Sequence, residues 1–114
     1  MAEKTLFQKI LDREVEADIV YEDEICGAFR DIKPIAPQHI LIVPRRVIPS
    51  VGDLTEDDRL TVGHLFHAAR LIAEKLGLDE GYRLVINCGK HGQQVIPHLH
   101  LHLIGGKQLA WPPM

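Results

Sequence analysis

Apolar and polar residues alternate most regularly near the carboxyl end of the chain, over residues 95–104. The run reads Val95-Ile96-Pro97-His98-Leu99-His100-Leu101-His102-Leu103-Ile104, and its period of two is typical of a β-strand. Successive side chains of a strand point to opposite faces, so the three leucines are predicted to enter a core. The three histidines would then share the other face, spaced by about 6.5–7 Å along the strand.

The hydrophobic pattern elsewhere predicts four more strands and two helices. The strands are expected at residues 18–21, 25–32, 39–43 and 82–87, and the helices at residues 5–13 and 55–76. Thr55 is the expected N-cap of the longer helix, with Asp58 three residues later, and Gly77 ends it. Antiparallel strands in succession with two helices indicate an α+β fold, and the length of 114 residues indicates one domain over residues 1–114. The predicted buried stripe of the longer helix consists of Val62, Leu65, Phe66, Ala69, Ile72, Ala73 and Leu76.

Composition narrows the class of protein. The formal net charge of −3 argues against a general nucleic-acid binder, which would carry a basic face. No apolar run approaches the ~20 residues of a membrane span, and the first residues lead into an amphipathic helix rather than a signal peptide. Cys26 and Cys88 lie far apart and belong to no metal-binding spacing, which favours reduced thiols. We therefore expect a cytoplasmic protein that binds neither nucleic acid nor a membrane.

Three chemical interpretations are open for the face that carries the histidines. In the first, one imidazole acts as a nucleophile or general base and its neighbours orient it. In the second, the histidines bind zinc, although the first and third of a straight run lie about 13 Å apart and neither Cys-x-x-Cys nor His-Glu-x-x-His is present. In the third, they are structural. We favour catalysis, because each ring has two polar nitrogens that need partners. His64 and His67, by contrast, have no carboxylate at a ligand spacing and are expected at a surface or an interface.

The segment before the histidines adds possible anion-binding groups. Residues 87–95 contain glycines, whose backbone N–H groups can approach an oxyanion closely, and the side-chain donors of Asn87 and Gln93. An ordinary hairpin loop is the alternative interpretation. Neither Gly-x-x-x-x-Gly-Lys-Ser/Thr nor Gly-x-Gly-x-x-Gly is present, which excludes these two nucleotide-binding motifs.

The chain resembles the histidine triad (HIT) superfamily and, within it, the Hint branch of purine nucleoside phosphoramidases. The family pattern of three histidines alternating with hydrophobic residues occurs here as His98 to Leu103. The similarity covers nearly the whole chain without large insertions. It also includes Phe29-Arg30-Asp31-Ile32 followed by Pro34, Ala36-Pro37 and His39; Gly81-Tyr82-Arg83-Leu84-Val85-Ile86-Asn87; Gly105-Gly106; and Trp111-Pro112-Pro113.

The resemblance implies roles for particular residues. His100 corresponds to the family nucleophile, which attacks the α-phosphorus and holds the nucleotide as a phosphohistidine. His98, His102 and His39 correspond to histidines that orient it and contact the phosphate. Asp31 corresponds to the acid that holds the ribose hydroxyls, although without the resemblance a cap for the turn at Pro34 is the favoured interpretation. The base and ribose pocket is matched by Phe7, Ile10, Phe29, Ile32 and Leu41, and the phosphate and leaving-group side by Asn87 and Gln93 to Val95.

The implied fold is the HIT-like fold, a five-stranded antiparallel sheet with two helices that dimerises into a larger continuous sheet. The implied activity is hydrolysis of purine nucleoside 5′-phosphoramidates through a covalent nucleotidyl-histidine, with no cofactor. Hydrolysis of dinucleoside polyphosphates or other nucleotidyl compounds is an alternative. A regulatory protein that binds nucleotides with little turnover is another.

Two departures from the family pattern affect the expected chemistry. Close relatives often have Ser or Thr where this chain has Val95, so a hydroxyl contact is missing and only the backbone N–H can serve. Some branches hold a structural zinc through Cys-x-x-Cys at the first helix, but Thr5 and Gln8 occupy those places here. We therefore expect no bound metal. Trp111, beside two prolines, is expected to dock against a partner surface.

Overall fold

Residues 3–113, which the computed structural model describes, form a five-stranded antiparallel sheet and two α-helices. The helices are α1 (Leu6–Leu11) and α2 (Arg59–Lys75), and the strands are β1 (Ile19–Glu22), β2 (Cys26–Arg30), β3 (Gln38–Pro44), β4 (Tyr82–Val85) and β5 (Leu101–Gly105). The strand order across the sheet is β1-β2-β3-β5-β4, and each neighbouring pair is antiparallel. The predicted α+β fold is confirmed, and every element end except the start of β5 lies within a few residues of its predicted position.

Apolar side chains cover both faces of the central strand β3. Ile40 and Ile42 belong to the larger apolar cluster, which lies between the sheet and α2. Leu41 and Val43 belong to a smaller cluster with the buried residues of α1. Burial on both faces explains why the sequence of β3 is a continuous apolar run rather than an alternating one.

A capping box starts α1. The hydroxyl oxygen of Thr5 accepts the N–H of Gln8 at 3.1 Å, and the Gln8 side chain accepts the N–H of Thr5 at 2.8 Å. Such reciprocal bonds satisfy two of the donors that a helix start leaves unpaired. The helix lies close to the sheet because Gly27 has no side chain, and a Cβ at that position would collide with Leu11.

The capping residues of α2 are those predicted, but the helix starts later. Thr55 and Asp58 form a capping box in which the Thr55 N–H donates to Asp58 Oδ2 at 2.9 Å. The turn that they cap, Glu56–Asp58, is a 3₁₀ turn, and regular α-helix follows only from Arg59. Within residues 3–113, no helix has both the length and the apolar character needed to cross a membrane.

The buried stripe of α2 differs from the prediction at one large residue. Phe66 was expected in the core, but it is 43% exposed. At about 100° per residue, Phe66 lies roughly a right angle away from the centre of the buried stripe. The buried residues are Leu65, Ala68, Ala69, Ile72 and Ala73.

The strand predicted over residues 95–104 is wrong in its first half, because β5 begins only at Leu101. Pro97 has no N–H to donate to a sheet ladder. The N–H of His98 turns back to the carbonyl oxygen of Ile96 at 2.8 Å, and the neighbouring strand β4 has already ended at Val85. The three leucines of the run are nevertheless all buried in the larger cluster, as predicted.

The carboxylate of Asp23 joins the β1–β2 turn to α2. Its Oδ2 accepts hydrogen bonds from His64 Nε2 at 2.6 Å and from the Tyr21 hydroxyl at 2.7 Å. Its Oδ1 accepts the N–H groups of Ile25 at 2.8 Å and Cys26 at 2.9 Å. Burial alone would raise the pKa of Asp23, but these hydrogen bonds, led by that from His64, outweigh burial and lower it. The carboxylate partner of His64 comes from a segment 41 residues away, which the local spacing of residues in the sequence does not reveal.

We expect Asp23→Asn to lower the free energy of unfolding at pH 7 by about 1–3 kcal/mol, because hydrogen bonds to a charged, partly buried acceptor are lost. The folded pKa of Asp23 lies below its unfolded value of about 3.9. The carboxylate therefore stabilises the fold above about pH 4, and this contribution disappears as the pH falls through the folded value. Urea denaturation of both proteins from neutral to acid pH should show the difference shrinking. Asp79→Asn, at an exposed position, is the control, and an equal loss in that variant would contradict the assignment.

Candidate active site

A cavity of about 430 Å³ opens on the face of the sheet that carries α1. Its volume lies within the ~300–1,000 Å³ typical of small-molecule pockets. The walls come from α1, the end of β2, the middle of β3 and the connection between β4 and β5. All the residues that the sequence assigns to nucleotide contact line it except Gln94, together with two of the four assigned histidines. The assigned residues in the lining are Phe7, Ile10, Phe29, Asp31, Ile32, Leu41, Asn87, Gln93, Val95, His100 and His102.

The strand register builds the apolar wall of this cavity. Phe29 pairs with Leu41, and Leu41 pairs with His102, so these side chains form one row across β2, β3 and β5. The Phe7 ring of α1 lies over the row, with its centroid 5.4 Å from that of Phe29 and 4.9 Å from that of His100. Tilted and edge-on contacts of this kind are favourable between aromatic rings. The wall can hold a flat ring beside the imidazole edges.

His100 presents one ring nitrogen to this cavity. Its Nδ1 lies 2.8 Å from the carbonyl oxygen of His98, which can only accept a hydrogen bond, so Nδ1 carries a proton. In the neutral ring, Nε2 then carries the lone pair. Among residues 3–113, no group forms a hydrogen bond with Nε2 of His100. The geometry therefore supplies an imidazole nitrogen that is free to attack a bound electrophile.

A chain of hydrogen bonds directs the proton of His102. The N–H of Ile35 donates to Nδ1 of His39 at 3.3 Å, and Nε2 of His39 lies 2.9 Å from Nδ1 of His102. Because Nδ1 of His39 accepts, its Nε2 carries the proton and donates to His102. The neutral His102 ring then carries its own proton on Nε2. The ring centroids of His102 and His100 are 5.0 Å apart, so an uncharged donor lies beside the free nitrogen.

Asp31 caps a turn and also lines the cavity. Its Oδ1 accepts the N–H of Lys33 at 2.9 Å, which caps the turn after β2. Its Oδ2 lies 3.5 Å from Nε2 of His39, and the residue also lines the cavity. Turn capping and ligand contact are therefore compatible, because different oxygens of one carboxylate can serve them.

His98 is not part of the cavity wall. It is 0% exposed, with Nε2 2.8 Å from the carbonyl oxygen of Pro44 and Nδ1 2.7 Å from the Thr5 hydroxyl. His98 lies on the same side of the sheet as His100, because its ring contacts Phe7 of α1, but it is buried beneath the helix rather than in the cavity wall. His98 and His100 both precede β5, so only His102 of the three lies within a strand. His39 also lies behind the wall and contacts it through His102.

Burial lowers the pKa of three of the four histidines. For His39, burial outweighs the opposing charge of Asp31, and for His98 it outweighs the hydrogen bond to the Pro44 carbonyl. For His102, burial comes first and the nearby His100 and His39 add to it, which lowers the pKa to about 4. These three rings are therefore neutral at pH 7, and the donor and acceptor directions of neutral imidazole apply to them.

The connection between β4 and β5 closes the remaining side. The Asn87 side chain donates to the carbonyl oxygen of Gly92 at 2.7 Å, so one of its two N–H bonds shapes the loop. Gln93 has a φ of 63°, in the left-handed region that is uncommon for residues other than glycine. The N–H groups of Gln93 and Gln94 donate to carbonyl groups of the same loop, so they are not free to bind an anion. Val95 is 87% exposed at the mouth of the cavity.

Two groups of donor atoms within residues 3–113 lie close enough to share a metal ion. They are Asp31 with His39 and His102, and Asp23 with Cys26 and His64. In the first group the two imidazoles already share a hydrogen bond. In the second, the carboxylate accepts five hydrogen bonds, one of them from the Cys26 thiol, and burial raises the pKa of that thiol to about 12. A metal would have to displace these bonds, and the expectation that none binds stays a prediction.

Several cavity residues were not identified from the sequence. Leu6 and Ile96 are adjacent in the sequence to Phe7 and Val95, which the sequence analysis did identify. Glu16 lies in the connection from α1 to β1 and carries no sequence signal, because only the path of the chain brings it to the cavity. The additional lining residues are Leu6, Val15, Glu16, Ala17, Arg30 and Ile96.

This chain is similar to known proteins in both sequence and structure. The family model described as HIT domain matches residues 12–109. A purine nucleoside phosphoramidase of Escherichia coli (strain K12) is 47% identical over 111 residues, covering 96% of this chain and 93% of that protein. An uncharacterized HIT-like protein of Synechococcus elongatus is 51% identical over 113 residues, covering 99% of each. The crystal structure of a HIT family hydrolase from Legionella pneumophila superimposes with a TM-score of 0.94 at 43% identity, covering 97% of this chain and 100% of that one.

Proposed function

Because this chain belongs to the HIT domain family, we propose that it hydrolyses purine nucleoside 5′-phosphoramidates to a nucleoside monophosphate and an amine. The observation that carries the proposal is the free Nε2 of His100, held at the edge of a cavity that has an apolar wall and also includes the carboxylate of Asp31. The Escherichia coli relative, which is similar over nearly its whole length, bears the name of this activity.

In the proposed first step, Nε2 of His100 attacks the phosphorus. A nitrogen–phosphorus bond to the histidine forms as the bond from phosphorus to the amine nitrogen breaks. Positive charge develops on the imidazole, and the carbonyl oxygen of His98 stabilises it by accepting the Nδ1 proton in a hydrogen bond. Nε2–H of His102 donates to a non-bridging phosphate oxygen. The departing amine takes up a proton from the phosphate or from the surrounding groups.

In the second step, water attacks the phosphorus of the nucleotidyl-histidine. A phosphorus–oxygen bond forms, the bond to His100 breaks, the electron pair returns to Nε2, and the attacking water loses a proton to a phosphate oxygen or to solvent. The intermediate divides one difficult displacement into two, and in each step the bond that breaks joins phosphorus to a nitrogen that leaves as a neutral amine or a neutral imidazole. The neutral ring of His102 supports this exchange without placing a second positive charge beside His100.

The same chemistry with an oxygen leaving group would cleave dinucleoside polyphosphates. Comparing turnover of adenosine 5′-phosphoramidate with that of diadenosine polyphosphates is therefore the direct test of the proposed function. We expect the phosphoramidate to be hydrolysed faster. Faster hydrolysis of the polyphosphates would overturn the proposed specificity, and slow turnover of both with tight binding of the monophosphate would favour a regulatory binding protein.

We also propose a homodimer. β4 is an edge strand of the sheet, and the exposed Phe66 of α2 and Tyr82 of β4 add apolar surface that a second copy of the chain can cover. Trp111 is 82% exposed, and we propose that this tail reaches the site of the partner. The free thiols of Cys26 and Cys88 support a reducing, cytoplasmic location.

His100→Ala should reduce turnover by several orders of magnitude, because the covalent route is removed. Binding of the nucleoside monophosphate should persist, because Asp31 and the apolar wall are unchanged. Rate measurements and calorimetric titration check the two parts. His67→Ala, at an exposed position of α2, is the control. Near-normal turnover of His100→Ala together with loss of turnover in His98→Ala would refute the assignment.

Asp31→Asn should bind ribonucleotides about ten- to a hundredfold more weakly, because a charged acceptor for the ribose hydroxyls is lost. Asn keeps a side-chain oxygen for the Lys33 N–H, so the melting temperature should change little. Affinities for ribonucleotides and 2′-deoxyribonucleotides should become more alike in the variant. If Asp31 only caps the turn, the sugar preference of the variant will stay that of the wild type and its melting temperature will also be unchanged.

Sedimentation at low micromolar concentration should give the mass of a dimer. Phe66→Glu should shift the protein towards monomer, because a charge would be buried in the proposed interface. Ile25→Glu is the matched control, since Ile25 is also exposed but lies in the β1–β2 turn, away from β4. A monomeric wild-type protein, or dissociation by both variants alike, would contradict the proposed interface.

A further inference from the structure

The residue that caps α1 also contacts a buried histidine. The Thr5 hydroxyl oxygen lies 2.7 Å from Nδ1 of His98, at the same time as it accepts the N–H of Gln8 at 3.1 Å. A helix cap normally needs only the second of these contacts. The first bond joins residues 93 positions apart in the sequence, and it ties the start of α1 to the histidine motif.

The directions of these bonds follow from which atoms can donate. The Pro44 carbonyl accepts only, so Nε2 of His98 carries the proton of the neutral ring. Nδ1 is then an acceptor, and the Thr5 hydroxyl is its donor. The hydroxyl has two lone pairs, which leaves it able to accept the Gln8 N–H as well. Both nitrogens of the fully buried His98 ring are thereby satisfied, and its orientation is fixed at both ends.

The orientation of His98 reaches His100 through the backbone. The carbonyl oxygen of His98 accepts Nδ1–H of His100, the bond that leaves Nε2 of His100 free. Phe7, two residues after Thr5, also contacts both rings, with centroids 5.7 Å from His98 and 4.9 Å from His100. Displacement of the helix start would therefore move the ring and the carbonyl group that hold His100.

We propose that Thr5 is a positioning residue for His100, acting through its hydroxyl bond to His98 and not only through its cap on α1. The kinetic part of this inference rests on the proposed function. The structural part does not, because the tautomers of His98 and His100 can be observed without turnover. The two histidines should carry opposite tautomers, with the proton on Nε2 of His98 and on Nδ1 of His100.

Thr5→Val tests the proposal, because valine nearly keeps the shape of threonine and removes the hydroxyl. We expect kcat on adenosine 5′-phosphoramidate to fall about 10- to 100-fold, the size of effect that small misplacements of a reacting group produce. KM should change much less, because the apolar wall and Asp31 remain. Thr5→Ser, which restores the hydroxyl, should recover most of the wild-type kcat.

Two control variants separate positioning from capping. Thr55→Val removes the threonine of the other capping box, which lies outside the cavity wall, and should lower stability without changing kcat. Gln8→Ala removes one half of the α1 capping box but keeps the hydroxyl on His98. It should keep kcat near wild type. If Gln8→Ala or Thr55→Val loses as much kcat as Thr5→Val, the effect is only that of a weakened helix and the proposal is wrong.

Nitrogen-15 NMR of the imidazole rings gives a readout that is independent of activity. In the wild type, Nδ1 of His98 should resonate as a hydrogen-bonded acceptor, and in Thr5→Val it should move towards the position of an acceptor without a donor. The Thr5 hydroxyl proton of the wild type should exchange slowly with water and show a cross-peak to the His98 ring, a measurement that does not require any variant to fold. A rapidly exchanging hydroxyl, or an unchanged Nδ1 resonance in Thr5→Val, would overturn the proposal. If the wild type does not hydrolyse the phosphoramidate, the proposed function is wrong. The NMR result alone then decides whether the Thr5 hydroxyl orients His98.

Discussion

The pairing of β3 with β5 is the constraint on which both the core and the candidate site depend. Leu41 lies opposite His102, and Ile40 lies opposite Leu103. Because strand side chains alternate, this one register places isoleucines and leucines against α2 and places Leu41 and His102 on the face that carries α1. A slip by one residue would turn an imidazole into the larger apolar cluster and a leucine into the cavity. Core formation and assembly of the site therefore select the same register.

Buried imidazoles are tolerated here because each has a specific partner. His98 is held by a carbonyl group and a hydroxyl, His100 by a carbonyl group, and His39 and His102 by each other. A buried polar nitrogen without a partner would cost about 1–3 kcal/mol. Burial also keeps three of the rings neutral at pH 7, so they do not repel one another. The same bonds that make burial possible determine which nitrogens carry protons, and so leave one lone pair for the proposed attack.

Two aspartates illustrate how partners separate a structural carboxylate from a candidate ligand-binding one. Asp23 accepts five hydrogen bonds from the protein and joins the β1–β2 turn to α2. Asp31 accepts one bond from the turn that it caps, and it also lies in the wall of the cavity. Asp23 directly follows β1 and Asp31 directly follows β2, so their positions in the sequence are alike. The number of donors that surround each carboxylate distinguishes them, and that number depends on the packing of α2 and β3.

Local patterns in the sequence determined the elements and the composition of the site, because alternation, capping residues and prolines act over a few residues. The buried leucines of the histidine motif, the capping residues Thr55 and Asp58 and the apolar run of β3 were all predicted in this way. Resemblance to a family then indicated which residues would line the cavity. Only the tertiary structure decided that His98 is fully buried outside the cavity wall and that His64 contacts Asp23. It also gave Thr5 a second partner 93 residues away. Each of these contacts joins segments far apart in the chain, and the energy that selects them comes from satisfying buried polar atoms, which no local pattern records.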